Sequence, residues 1–341
     1  MIRSVLSQAK NHTRKSSKEE YITISLSKKT LALGVFFILF SFGFLLVLLR
    51  PSFFALDSAQ VEKTALTLRG VPLLGDYVPA KYLPTEYVLE QVTPSAGYRT
   101  KIVFGDVVVK MVQAGVIDRQ KVEELYKGRG GVPKEMQEYL SKPSNTPINV
   151  TADNSWWIVN LLWPLGLANK MSVNERGPLA GENVGSFAST GGWNLGREGK
   201  GGVYYNSLDL IQLTPEQEKR VRALADSVYR PCCNNSTFFQ DCNHGSAALG
   251  LIELGVAQGL SDEEIYKTVL YFNAYWFPQN YAETALYFQK VKNQEWVRVD
   301  PKVVLSKDYS SISGWLANVD TPLKKMPNIL PVLQNSGSCS A

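Results

Sequence analysis

Three of the chain's four cysteines and one of its two histidines fall within thirteen residues, in the run RPCCNNSTFFQDCNHG from Arg230 to Gly245. Thiols react and bind metals as thiolates, and a nearby cation or a helix N-terminus favours that form. Arg230, His244 and a helix starting near Ser246 would supply such a field. Three readings of this loop are open. A structural disulfide from Cys232 or Cys233 to Cys242 would staple a long loop between two helices, mainly by restricting the unfolded chain. Thiol–disulfide exchange would use Cys232 or Cys233 to attack and Cys242 to resolve, with His244 tuning them. A metal site would take Cys232, Cys233, Cys242 and His244 as ligands, a familiar tetrahedral set for zinc or a soft site for copper. Adjacent cysteines strain the backbone when they share one ion, and the spacing C-C-x8-C-x-H is a weaker metal pattern than paired C-x-x-C. Four cysteines in 341 residues are no disulfide framework. Cys339, nearly at the end, reads as an idle thiol or a partner for another cysteine.

The segments around this loop predict the helices that position it. Thr214, Pro215 and Gln217 supply an N-cap, a first-turn proline and a capping-box partner, and Val221, Leu224 and Val228 form an apolar stripe, predicting a helix from about 215 to 229. A second run through Ala248, Leu251, Ile252 and Val256 ends at Gly259. Ser261 and Glu264 make another capping box, opening a third helix with Ile265, Val269, Phe272 and Trp276 on one face until Pro278. Three consecutive helices with matching stripes should pack together, with the cysteine loop joining the first to the second.

Earlier in the chain, Val107, Val108, Met111 and Val112 have helical spacing, Asp118 is placed to cap a second helix, and Pro133 to start a third. The run SWWIVNLLWPLGLAN over 155–169 reads as a buried core helix. Its rival is a surface lying in an outer leaflet with Trp156, Trp157 and Trp163 at headgroup level. The glycine-rich stretch 185–202 lacks a phosphate-loop pattern and is expected to be a mobile or ligand-covering loop. Residues 281–292 suggest a further helix, and EWVRVD alternates like a strand.

Charge and hydropathy predict topology. Residues 30–49 hold no charge over twenty positions, long enough to cross a bilayer once and too long for a cleaved signal. The tail before them carries seven basic residues against two acidic ones, whereas the chain past Arg50 holds 28 basic and 29 acidic residues, a net of −1. The basic excess therefore belongs to a cytoplasmic tail, so the lipid bilayer is the expected partner and nucleic acid is not.

The stretch RVRALADSVYRPCCNNSTFFQDCNHGSAALGLIELGVAQGLSDEEIYKTVLYFNAYW resembles the redox domain of the cytochrome c maturation H family, over residues about 218 to 277 of the 341. The shared features are Arg230 before Cys232, the polar Asn234 and Asn235, Asp241, Ala247, Gly259, and Ser261 to Ile265. The family's C-x-x-C is replaced: Pro231 precedes the first cysteine, Cys233 adjoins it, and Cys242 takes the place of a serine. His244 has no counterpart. The resemblance implies a three-helix scaffold, a thiol loop outside the membrane and a role in cytochrome maturation.

The expected architecture is mainly α. A basic cytoplasmic tail (1–29) and a single transmembrane helix (30–49) precede a stalk with a small helical hairpin (50–145). An apolar helix with the glycine-rich loop (146–212), the three-helix cysteine-loop domain (213–278) and a C-terminal extension (279–341) follow. The expected protein sits in the cell membrane with its bulk outside, exchanges thiols or handles zinc or copper, and meets a protein partner in the cell envelope. The alternative is a non-enzymatic envelope scaffold whose cysteines form a structural disulfide.

Overall fold

The computed structural model describes residues 57–71, 78–181 and 183–326. The expected anchor at 30–49, the basic tail and Cys339 lie outside them. The described chain is mainly helical. Among the described residues no helix is long and apolar enough to cross a membrane.

The helices begin where capping chemistry directs them. Asp57 caps α1 (Ser58–Arg69), and α2 (Thr85–Val92) follows Pro84. A two-residue antiparallel ribbon pairs β1 (Tyr98–Arg99) with β2 (Asn149–Val150), Tyr98 opposite Val150. Between these strands run α3 (Val107–Gln113), α4 (Arg119–Lys127), capped by Asp118, and α5 (Lys134–Ser141), which starts after Pro133. Then come α6 (Ser155–Ala168) and a single turn, α7 (Ala188–Gly191). Both expected capping boxes form, on α8 (Pro215–Ser227) and α10 (Asp262–Trp276), with α9 (Asn243–Ala257) between them. Pro278 ends α10 and opens α11 (Pro278–Lys290), and one-turn helices carry the chain on through Thr321–Lys324.

The apolar run α6 is the centre of the core. All of its residues except Trp156 are buried, so Trp157 and Trp163 face protein and are unavailable to a lipid headgroup layer. The expected three-helix unit exists, but its middle helix crosses α6 most closely. Gly250 of α9 meets α6 so tightly that a Cβ there would lie 2.7 Å from the Leu162 carbonyl oxygen and 2.9 Å from the Gly166 nitrogen. Two facing glycines permit that approach, because any side chain at the crossing would hold the backbones apart. One hydrophobic cluster extends from Val88 to Leu323, so the sequence segments share a core.

Three local expectations are corrected. The stretch expected to be a loose stalk contains α1 and α2, and Val88 and Val92 of α2 are core residues. The glycine-rich stretch is fastened by aromatics: the Trp193 indole donates to the Val116 carbonyl (2.9 Å), its ring lies edge-on to Trp163 at 5.0 Å, and the Tyr204 hydroxyl donates to the Gly115 carbonyl (2.9 Å). The EWVRVD segment makes a 3-10 turn (Trp296–Arg298) in place of a strand. There the Glu295 carboxylate is held by Arg69 at 2.6 Å and, three residues on, by Arg298 at 3.3 Å, a spacing that one turn brings together.

Candidate functional site

The loop between α8 and α9 is fixed from several sides. Thr237 and Phe238 donate backbone N–H groups back to Val228 (2.8 Å) and Ala225 (3.2 Å) at the end of α8, and Tyr229 donates to Leu305. Ile312 donates to the Cys233 carbonyl (3.0 Å), Ser189 of the glycine-rich stretch donates to the Asp241 carbonyl (3.1 Å), and the Asn273 amide of α10 reaches the Tyr229 carbonyl (3.2 Å). Buried backbone groups are expensive to leave unpaired, so these bonds determine where the loop lies.

Arg230 occupies its interior. The side chain is fully buried, with four polar contacts: Nε to Cys242 Sγ at 3.1 Å, Nη1 to the Asn235 carbonyl at 2.9 Å, and Nη2 to the Phe239 carbonyl at 3.2 Å and Asp241 Oδ1 at 2.5 Å. Asp241 Oδ2 accepts in turn from Asn235 Nδ2 at 2.8 Å. Burial opposes the guanidinium's charge, but the three sulfurs, Cys242 foremost, hold its pKa above the usual arginine value. Gly245 makes room for this arrangement: a Cβ there would lie within 2.7 Å of Nε and closer still to the rest of the guanidinium.

The three sulfurs converge. Cys232 and Cys242 Sγ are 3.4 Å apart, and all three Sγ atoms lie within 4.8 Å of one another. The turn at Pro231 brings the adjacent Cys232 and Cys233 onto the same centre, so the strain expected of neighbouring ligands does not keep them apart. All three cysteines are half-buried thiols in no disulfide with one another. Cys242 is also the N-cap of α9, its sulfur accepting from the Gly245 N–H at 3.3 Å. Hydrogen bonds from Cys232 and Cys233, then the Arg230 charge, hold the Cys242 thiol well below its ordinary range. Cys233 moves the other way, to about 11: a bond from Cys232 lowers it, and its bond to Cys242 and burial outweigh that. Of these two thiols, Cys242 is the one whose surroundings favour the thiolate.

No protein-family model, curated protein or solved structure matches the chain.

His244, the fourth residue of the expected metal set, stands apart from the sulfurs. Its ring packs 5.3 Å from Trp276 and 4.7 Å from Phe277, and Nδ1 is buried with no hydrogen-bond partner. Among the described residues the group able to share an ion is Cys232, Cys233 and Cys242, without His244. Burial pushes the imidazole down to about 4, so it is neutral near pH 7. The field at Cys242 comes mainly from Arg230 and the Gly245 N–H at the start of α9, with His244 a lesser contributor.

Sequence reading identified Arg230 as a source of field but not as the buried hub of the loop. It gave no role to Gly245, whose signal was a glycine three residues past the helix's cap. Ser189 and Ile312 carry no chemical mark in sequence, since each serves through its backbone N–H.

Proposed function

We propose that this chain is a membrane-anchored protein with its bulk outside the cytoplasm, and that it captures a thiophilic metal ion at Cys232, Cys233 and Cys242. The supporting observation is the convergence of three half-buried sulfurs in a loop already pinned by its surroundings. Holding the ligands in place lowers the ordering cost that an ion would otherwise have to offset. A single ion with metal–sulfur bonds of about 2.3 Å would hold sulfurs about 4 Å apart, within the range the three already span. Location outside the membrane is supported by the charge balance around residues 30–49, and a place in cytochrome or metalloprotein maturation by the resemblance of residues 218–277, with an envelope protein as the partner that gives or receives the ion.

Elemental analysis of the anaerobically purified chain, beside Cys232→Ser, Cys233→Ser and Cys242→Ser, tests this reading. The expected result is one bound ion per chain, lost or strongly depleted in each variant. Equal metal content in all four proteins would sink it.

The 3.4 Å approach of Cys232 to Cys242 favours a second reading, thiol–disulfide exchange. The attacking and resolving roles are then the reverse of those expected from sequence, because Cys242 is the thiol held low: its thiolate attacks one sulfur of a partner disulfide, and the released partner thiolate takes up a proton from solvent. Cys232, giving up its own proton, then attacks the Cys242 sulfur and expels the second partner thiolate. Two electrons and the Cys232 proton pass to the partner, whose other thiolate is protonated by solvent, leaving a Cys232–Cys242 disulfide. A Cys232→Ser chain should accumulate the mixed disulfide, visible by mass spectrometry, and turnover unimpaired by that substitution would exclude the scheme. A chain that neither holds metal nor exchanges thiols would be the scaffold of the alternative expectation.

A further inference from the structure

Among the described residues no fourth His, Cys, Asp or Glu joins the sulfur cluster. His244 is the nearest residue by sequence, yet its ring is wedged between Trp276 and Phe277, and its nitrogens fall outside the group of atoms within 4.8 Å of one another. Asp241 is also excluded from that group, with Oδ1 engaged by Arg230 and Oδ2 by Asn235. Cys242 Sγ accepts from Arg230 Nε at 3.1 Å and from the Gly245 N–H at 3.3 Å, donors that offset negative charge on this sulfur without supplying a metal ligand. The His, Cys, Asp and Glu donors that converge among the described residues are three sulfurs, and the oxygens beside them, Asn235 O and Asp241 Oδ1 at 3.8 Å from Cys233 Sγ, are each taken by Arg230.

Zinc in proteins is almost always four-coordinate, completing its shell with a further side chain or a water. Soft monovalent ions are content with fewer ligands and gain most from an all-sulfur set. We propose that the centre binds a monovalent thiophilic ion, of the copper(I) and silver(I) class, through three sulfurs, in preference to zinc. This rests on the metal-handling reading and specifies its cargo.

The test uses the reduced full chain, solubilised in detergent and kept anaerobic. Zinc is loaded first, and one equivalent of copper(I) is then delivered from a chromophoric copper(I) chelator. A parallel titration uses silver(I), which is redox-silent. The expected result is stoichiometric release of zinc, one copper per chain, a thiolate-to-copper charge-transfer band, and an X-ray absorption spectrum with three sulfur neighbours and no nitrogen. His244→Ala and Cys339→Ser should leave the stoichiometry and spectrum unchanged. Zinc retained against one equivalent of copper(I), or a nitrogen neighbour in the spectrum of the unaltered chain, overturns the proposal while the metal-handling reading stands. Failure to bind either ion removes that reading itself.

Discussion

Replacing Arg230 by methionine removes the one fixed positive charge inside the cysteine loop while keeping a side chain of similar length. The guanidinium is fully buried and reaches Asp241 at 2.5 Å, Cys242 Sγ at 3.1 Å and the carbonyls of Asn235 and Phe239. Taking one partner from a buried ion pair costs about 3–5 kcal/mol, because the other charge is left without compensation. Two carbonyls losing their donors act in the same direction. Arg230→Met should therefore lower stability by about 3–5 kcal/mol in urea unfolding. Arg230→Lys, which keeps the charge but cannot reach all four acceptors, should fall between. A second readout isolates the electrostatics. Cys242 has a folded pKa below its unfolded value, so its thiolate contributes stability that is present above the unfolded pKa and lost as pH falls through the folded one. Without Arg230 the Cys242 pKa should rise, moving the onset of its alkylation, followed by mass spectrometry, to higher pH. The stability gap between the two proteins should widen as pH climbs toward the ordinary thiol range. Coincident alkylation profiles, with a stability loss below about 1 kcal/mol, would refute the assignment of Arg230 as the charge that organises this loop.

Gly250→Ala sets two effects against each other: in an open helix alanine gains up to about 1 kcal/mol over glycine. Here the added Cβ would sit 2.7 Å from the Leu162 carbonyl oxygen, and overpacking of about 1–3 kcal/mol should win, so net destabilisation in thermal unfolding is expected and a stabilised variant would contradict the close α6–α9 crossing. Glu253 is fully buried on α9 with neither oxygen hydrogen-bonded, and burial raises its pKa well above the ordinary value, with Asn169 as the neighbour that partly opposes this. A raised carboxyl is stabilising below its unfolded pKa and costs stability as pH rises toward the folded one, so Glu253→Gln should gain on the unaltered chain between pH 5 and 8; a constant difference over that interval would count against a buried protonated acid.

Much of the helical framework could be read locally. The capping boxes at Thr214 with Gln217 and at Ser261 with Glu264 depend on residues three apart, so neighbours in sequence are neighbours in space. The buried character of α6 was legible for a similar reason, since fourteen positions so apolar have little use elsewhere than a core. The glycine-rich stretch and the stretch before Tyr98 were misread because their order comes from distant partners: Trp193 reaches Val116, and α2 meets the core through Val88 and Val92. Composition alone registers their glycines and prolines, not the surfaces those residues rest on.

At the site the division is equally clear. The types and spacing of Cys232, Cys233, Cys242 and His244 were enough to mark one loop as the place where chemistry could occur, because sulfur and imidazole are scarce and chemically distinct in this chain. Which of the four act together was a matter of tertiary structure. His244 lies only two residues from Cys242, yet helical geometry turns its ring toward Trp276 and Phe277, whereas Cys232, ten residues away, folds back to 3.4 Å. Sequence specifies which groups exist, and only the packing of α9 and α10 and the buried Arg230 determine which of them face one another, since those directions are set by contacts far along the chain.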